Sequence, residues 1–488
     1  VQKIERHFRK ESWLLLPDLL DEAKLLEIYV FPDRYPGFTV RGRAIRRYPA
    51  GDAACHLLGH MSKIRAEEYD DLRRAGYFMN DLVGRSGIES ICETRLRGQQ
   101  GLEVVTRDHR NRAGDTLYDD EARAGQDVVL SLDLALQQRA EAVLDRVLEE
   151  VATRAALRGD PPPGGAAAVV LDVRTGDVYC MASSPRFDVN RVAKDYAALV
   201  ADEGGPLHDR TVAPPRVAPP GSVFKILTAI AGIESGVIDP DRTHLCRGYL
   251  FDPRSFRCHQ RSGHGNLDLY HSIEQSCDIY FYLEGQAIED PAERGRPGTM
   301  AEWAREFGFG NRTGVEVVRE SAGLLPTRAW KLETLGEPWY DGNSRHMAIG
   351  QGFLETTPLQ VARFMAAVAT GRLVRPRLDL ARPVESRDLP VSDRSLRVVH
   401  EGMRLVVEGG HGTARKVAAF SRLRASAKTG TAEVGGSAGD HAWIAGFLPR
   451  EAPRLAFAVL VENAGHGGEV AGPVAGEILE AAVEELGR

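Results

Sequence analysis

Residues 219–225 read Pro-Pro-Gly-Ser-Val-Phe-Lys. The two prolines and the glycine close an extended segment, and an apolar helical pattern begins at Ser222. Residues three apart share a helix face, so Ser222 and Lys225 can stand side by side, a hydroxyl beside an amine. A serine is a weak nucleophile until a base takes its proton. A helix start adds free backbone N–H groups and a dipole, both of which favour negative charge on an attacked oxygen. Alone, the same residues read more readily as a capping serine and a surface lysine, since the pattern is common by chance.

Two further stretches change that balance. Ser276-Cys277-Asp278 falls at a turn or helix start. In a locally extended stretch alternate side chains face the same way, which puts Ser276 and Asp278 on one cleft and turns Cys277 away. The plainer reading is a helix-capping serine before Ile279-Tyr280-Phe281. Ala427-Lys428-Thr429-Gly430-Thr431 lies in an apolar strand pattern. Lys428 and Thr429 offer a cation and a hydroxyl to a carboxylate, and Gly430 lets a substrate backbone approach closely. The plainer reading there is a lysine on an edge strand.

Around these motifs the chain divides near residue 126. Residues 1–126 are charged and irregular. A strand is predicted at 127–133 and a long amphipathic helix from Leu134 to about Leu157, followed by the breaker Pro161-Pro162-Pro163-Gly164-Gly165. Strands are predicted at 166–172, 177–181, 424–433, 441–448 and 454–462, with a glycine-rich connection at 435–439. Helices are predicted at 222–235, 272–288, 300–307, 358–370, 394–407 and 470–488. Two strands early and three late imply one sheet closed by both chain ends, in an α+β domain.

Composition sets outer limits. With 488 residues, 43% hydrophobic and 27% charged, the chain is a folded protein with more than one domain. A formal net charge of −7 and the lack of a basic run argue against a nucleic-acid partner. The longest apolar stretches, such as Leu455 to Val461, are far shorter than the roughly 18 residues that a membrane span needs. Residue 1 is a valine leading into a charged stretch, so the natural start of the protein is expected to lie upstream.

Together the three motifs resemble the penicillin-recognising serine enzymes, with their ordered S-x-x-K, S-x-N and K-T-G. The likeness extends over nearly the whole chain. Arg47-Tyr48-Pro49, His56-Leu57-Leu58-Gly59, Gly84-Arg85-Ser86-Gly87-Ile88-Glu89 and Leu96-Arg97-Gly98 resemble the non-catalytic pedestal of class B penicillin-binding proteins. Gly323-Leu324-Leu325-Pro326, Trp330, Trp339-Tyr340-Asp341-Gly342, Ile349-Gly350-Gln351-Gly352, Thr357-Pro358-Leu359-Gln360 and His441-Ala442-Trp443-Ile444-Ala445-Gly446-Phe447 resemble the elongation-type subgroup, PBP2. The resemblance implies a pedestal over 1–126, lacking its earliest segments, and a transpeptidase domain over 127–488. It implies a five-stranded antiparallel sheet with helices on both faces.

The implied activity is D,D-transpeptidation. Ser222 attacks a D-Ala-D-Ala stem peptide, Lys225 is the general base, Ser276 relays a proton to the leaving amine and Asp278 orients Lys225. Lys428 and Thr429 hold the terminal carboxylate, and the N–H groups of Ser222 and Thr431 form the oxyanion hole. β-Lactams would acylate Ser222. Implied partners are a SEDS-type glycosyltransferase and elongation scaffold proteins docking on the pedestal, with a membrane anchor outside this chain and a periplasmic location at the inner membrane. Asp278 departs from the general family asparagine, although the elongation subgroup is similar in carrying aspartate. Its carboxylate favours the ammonium form of Lys225, whereas Lys428 pushes the other way. A hydrolase on the same fold, or a β-lactam sensor or inactive scaffold, are the competing functions.

Chemistry needs no cofactor, but Cys246, Cys258, His264 and Cys277 fall close together, and three thiolates with an imidazole suit a tetrahedral structural zinc. His259 is an alternative ligand. A Cys246–Cys258 disulfide or simply buried thiols are the alternatives. Cys55, Cys92 and Cys180 are scattered and expected in the core.

Overall fold

A computed structural model of the chain describes residues 20–36, 38, 40, 45–79, 81–108, 113–214, 218–290, 299–433 and 439–487. Val1–Pro49 and Ala50–Arg488 are two compact units. In the first, helix Glu22–Val30 starts at Asp21, whose carboxylate accepts the Lys24 N–H at 2.7 Å. Lys24, Glu27 and Tyr35 then tie that helix to the turn that follows it.

The second unit is organised by one sheet. β1 (Ala166–Asp172) and β2 (Val178–Ser184) form a hairpin, and β3 (Ser426–Ala432), β4 (His441–Leu448) and β5 (Leu455–Val461) follow far downstream. The spatial order is β3-β4-β5-β1-β2, antiparallel throughout, so β5 joins the late strands to the early ones. Every residue of β1, β2, β4 and β5 is buried. That double-sided burial is why these strands read as continuous apolar runs rather than as alternating ones. The connection expected at 435–439 lies outside the described residues except for Gly439.

Seven helices frame the sheet and the site: α1 (Leu134–Arg158), α2 (Lys225–Ser235), α3 (Leu269–Glu274), α4 (Asp278–Glu289), α5 (Pro358–Thr370), α6 (Asp393–Glu408) and α7 (Ala471–Leu486). α1 and α7 pack together over one face of the sheet and α5 over the other. α1 buries Leu136, Ala140, Val143, Leu144, Val147 and Val151, the stripe its periodicity predicts. α2 is buried all round and sits among α3, α4 and α6. Its Glu234 carboxylate meets the N-terminus of α6, accepting Ser392 N–H at 2.7 Å and Ser395 Oγ–H at 2.7 Å, where the helix dipole favours a negative charge.

The segment from residue 50 to 126 docks on this domain. Met61–Lys63 pairs with Leu82–Gly84, and Leu102–Arg107 with Ala113–Asp120. The Ala54 N–H donates to the buried Glu141 carboxylate of α1 at 2.9 Å, and Arg95 pairs with Asp379.

Two sequence expectations are corrected. Residues 127–133 are not a strand: Leu130 makes an isolated bridge to Asp379, and Ser131 N–H donates to Leu378 O at 2.7 Å. Pairing stops there because Asp133 already caps α1, accepting Leu136 N–H at 2.9 Å. The helix expected at 272–288 is two helices, α3 and α4, interrupted where Ser276 adopts φ 55°.

Candidate active site

The Ser222 turn is built by close backbone packing. Gly221–Phe224 is a 3₁₀ turn that runs into α2 at Lys225. Ser222 and Lys225 are three apart across that turn, but the Lys225 Nζ hydrogen bonds go to Ser276 and Asp278 and not to Ser222. Gly221 has φ 54°, and its N–H donates to Gly350 O at 2.9 Å. A Cβ on Gly430 would stand 2.9 Å from Pro220 O and 3.0 Å from Val223 Cγ2. The glycine of the third motif therefore makes room for the serine turn of this same chain, where sequence reasoning assigned that room to substrate.

Lys225, Ser276, Asp278 and Lys428 meet in the interior. Lys225 and Lys428 are fully buried. Lys225 Nζ donates to Ser276 O at 2.7 Å, Ser276 Oγ at 3.2 Å and Asp278 Oδ1 at 2.8 Å. Lys428 Nζ donates to Ser276 Oγ at 2.8 Å and to Thr429 O at 3.0 Å. Ser276 Oγ thus lies between two lysine nitrogens. The left-handed backbone of Ser276 delivers this: it ends α3, starts α4, and aims a carbonyl and a hydroxyl at Lys225 together.

Burial, and next the Lys225 ammonium, push Lys428 well below the usual lysine range, against the pull of Asp278. Burial would raise the Asp278 carboxyl, but the Lys225 ammonium and His259 outweigh it and hold the group below its ordinary value. The second Asp278 oxygen accepts His259 N–H at 3.0 Å.

β3 supplies the rest. It is an edge strand, and Lys428, Thr429, Gly430 and Thr431 pair with Ala445, Ile444, Trp443 and Ala442 of β4. Thr429 Oγ1 lies 2.7 Å from Thr413 Oγ1, Thr431 Oγ1 accepts Gly467 N–H at 3.4 Å, and Gln351 Nε2 reaches Thr431 O at 3.4 Å. Thr413 was not picked out in the sequence, where Gly-Thr-Ala carries no chemical pattern, and Gln351 figured only in a family likeness. Ser222 is partly exposed, and among the described residues its hydroxyl has no hydrogen-bond partner.

Behind the Ser276 turn lies the thiol cluster. Donor atoms of Cys246, Cys258, His264 and Cys277 all lie within 4.8 Å of one another. His264 Nδ1 is 3.6 Å from Cys246 Sγ and 3.5 Å from Cys258 Sγ. Zinc–sulfur bonds of about 2.3 Å arranged tetrahedrally place the sulfurs about 3.8 Å apart, so this donor set fits zinc. Hydrogen bonds among the three sulfurs draw Cys258 far below and Cys277 far above the ordinary thiol range. All six cysteines are free, so the Cys246–Cys258 disulfide considered from sequence is absent. Cys55, Cys92 and Cys180 are buried. Cys258, His259 and Asp278 form a second close group, but the Asp278 oxygens already accept from Lys225 and from His259 N–H.

Comparison with known proteins agrees with this architecture. Residues 166–480 match the penicillin binding protein transpeptidase domain, and residues 2–130 the penicillin-binding protein dimerisation domain. The chain is 32% identical over 517 residues to the peptidoglycan D,D-transpeptidase MrdA of Haemophilus influenzae, covering 98% of this chain and 75% of that one. It superposes on the PBP2 of a PBP2–MreC complex from Helicobacter pylori with a TM-score of 0.82 at 28% identity, covering 96% of this chain and 84% of that one. A chain from a peptidoglycan synthase complex, in a structure describing coordinated polymerization and crosslinking, gives 0.82 at 32% identity, with 98% and 84% covered. With a matching transpeptidase domain over most of its length, a dimerisation domain before it and PBP2 relatives over nearly all of it, the chain belongs to the penicillin-binding proteins, on their PBP2 branch.

Proposed function

We propose that this protein is a serine-type peptidoglycan D,D-transpeptidase of cell elongation, and a covalent target of β-lactams. The observation that carries the reading is Ser276 Oγ held between Lys225 Nζ and Lys428 Nζ at 3.2 and 2.8 Å. Burial pushes the Lys428 amine well below the ordinary lysine range, and a substrate carboxylate arriving beside it would raise its proton affinity, so that a proton can then pass from Lys225 through Ser276 Oγ to Lys428. That leaves Lys225 with a free lone pair one helical turn from Ser222, ready to act as general base. It also places the positive charge on Lys428, beside Thr429 and Thr431, where the substrate's terminal carboxylate would stabilise it.

Ser222 Oγ then bonds to the penultimate D-Ala carbonyl carbon. The C–N bond breaks and D-Ala leaves with a proton relayed by Ser276. An acceptor amine next forms a new C–N bond and releases Ser222. The N–H groups of Ser222 and Thr431 serve as the oxyanion hole, and loss of one such donor costs about 100- to 1000-fold in rate. On this reading residues 1–126 are the pedestal and 127–488 the transpeptidase domain. The pedestal docks a SEDS-type glycosyltransferase and elongation scaffold proteins, a reading supported by the MreC and synthase complexes of relatives. Among the described residues no helix is long and apolar enough to cross a membrane, and a separate anchor would hold the protein at the periplasmic face of the inner membrane.

Cys246, Cys258, His264 and Cys277 are further assigned to one structural zinc, with His259 outside the donor set. The metal would fix the Ser276–Asp278 turn from behind and take no part in the acyl transfer.

The test of the function is covalent labelling by fluorescent penicillin. The protein should form a long-lived adduct, and Ser222→Ala should form none. Normal labelling of that variant removes the assignment. Fast turnover of the adduct points instead to a hydrolase, and a stable adduct without peptide cross-linking to a sensor.

A further inference from the structure

Thr413, half-buried, stands beside the carboxylate-binding motif and is fixed from several sides. It belongs to the connection 409–417 between α6 and the short helix Ala418–Arg422 that precedes β3. Glu274, the last residue of α3, is 3% exposed and holds this loop: its carboxylate accepts His411 N–H at 2.8 Å and its carbonyl accepts Thr413 N–H at 3.4 Å. Ala414 N–H donates to Val406 O of α6 at 3.0 Å. The Thr413 hydroxyl is thereby set 2.7 Å from that of Thr429.

Each hydroxyl has one proton, so only one of the two can donate across this contact. If Thr429 donates to Thr413, it meets an incoming anion with lone pairs. If Thr413 donates to Thr429, the Thr429 proton is free for the anion. A hydrogen bond to a carboxylate is charge-assisted and polarises the bond behind it, so the second arrangement is the one a carboxylate selects.

We propose that Thr413 is a positioning residue for the ligand's carboxylate: it donates to Thr429 Oγ1 and so presents the Thr429 proton to the anion. The inference rests on the transpeptidase reading of the site. It also makes Glu274, two residues from Ser276, a common support for the proton relay and for the carboxylate subsite.

The test compares acylation of the 488-residue chain by a penicillin and by its methyl ester, each competed against fluorescent penicillin. Thr413→Val removes the hydrogen bond behind Thr429 and not the one to the anion, and loss of one neutral hydrogen bond corresponds to about five-fold in efficiency. It should therefore lower acylation by the free acid about five-fold, mainly through weaker pre-covalent binding. Acylation by the ester should hardly change, and Thr413→Ser should restore the acid. Equal losses for acid and ester would show a general packing defect and overturn the proposal, as would an unchanged rate with the acid. A parent protein that forms no adduct with either compound would remove the transpeptidase reading itself.

Discussion

Asp278→Asn isolates what the carboxylate contributes to this site. The residue is 8% exposed and its carboxylate accepts two donors on separate oxygens, Lys225 Nζ at 2.8 Å and His259 N–H at 3.0 Å. An asparagine of the same shape has one acceptor oxygen. Whichever donor it serves, its own NH₂ group must face the other. A buried donor left without a partner costs about 1–3 kcal/mol. Removing one member of a buried ion pair costs about 3–5 kcal/mol, less here because the amide oxygen can still accept from Lys225. The expected net loss is about 2–4 kcal/mol of unfolding free energy. Urea unfolding of parent and variant at neutral pH, with equal slopes, measures it, while labelling by fluorescent penicillin reports whether the site still assembles. A change under about 0.5 kcal/mol, the scale of an ordinary surface substitution, would refute the claim that both donors depend on the charge.

Lys428 gives a pH prediction with a definite sign. Its folded-state pKa lies well below the unfolded value of 10.5, so the unfolded chain binds the extra proton. The lysine therefore weakens the fold most at pH below its folded pKa, and the penalty fades as pH rises towards 10.5. Lys428→Met should look more favourable by thermal unfolding at pH 7 than at pH 10, and a pH-independent difference would contradict the burial argument. For the thiol cluster, elemental analysis should find one zinc per chain, reduced in Cys246→Ser and Cys277→Ser. Chelation should lower the melting temperature of the parent but not of those variants. Metal-free protein with three titratable thiols in the cluster would dismiss the site.

The sheet was legible because its strands are buried on both faces and so appear as uninterrupted apolar runs, from Ala166 to Asp172 and from Leu455 to Val461. The motif residues were legible because three motifs occur in one order, each on the type of element its chemistry needs; alone, each has a plainer reading. What escaped notice depends on tertiary contact. The Ser276 stretch reads as a turn or helix start, yet the helical pattern runs on through it because Ser-Cys-Asp contains no glycine or proline; the φ of 55°, with Lys225 on its carbonyl and hydroxyl, appears only in the fold. Residues 127–133 look like a strand but make one isolated bridge, at Leu130, with scattered backbone hydrogen bonds on either side of it. Thr413 and Glu274 acquire their meaning from a loop that folds back onto β3, which no local pattern announces.

The position of β3 at the border of the sheet has one more consequence. A border strand offers its main chain to any extended polymer that can lie beside it, and such pairing is blind to the newcomer's side chains. Discrimination must then come from the terminus of the docked polymer, where Lys428, Thr429 and Thr431 cluster. A wall precursor with varied residues in mid-chain but a constant acidic tip suits a surface of that kind.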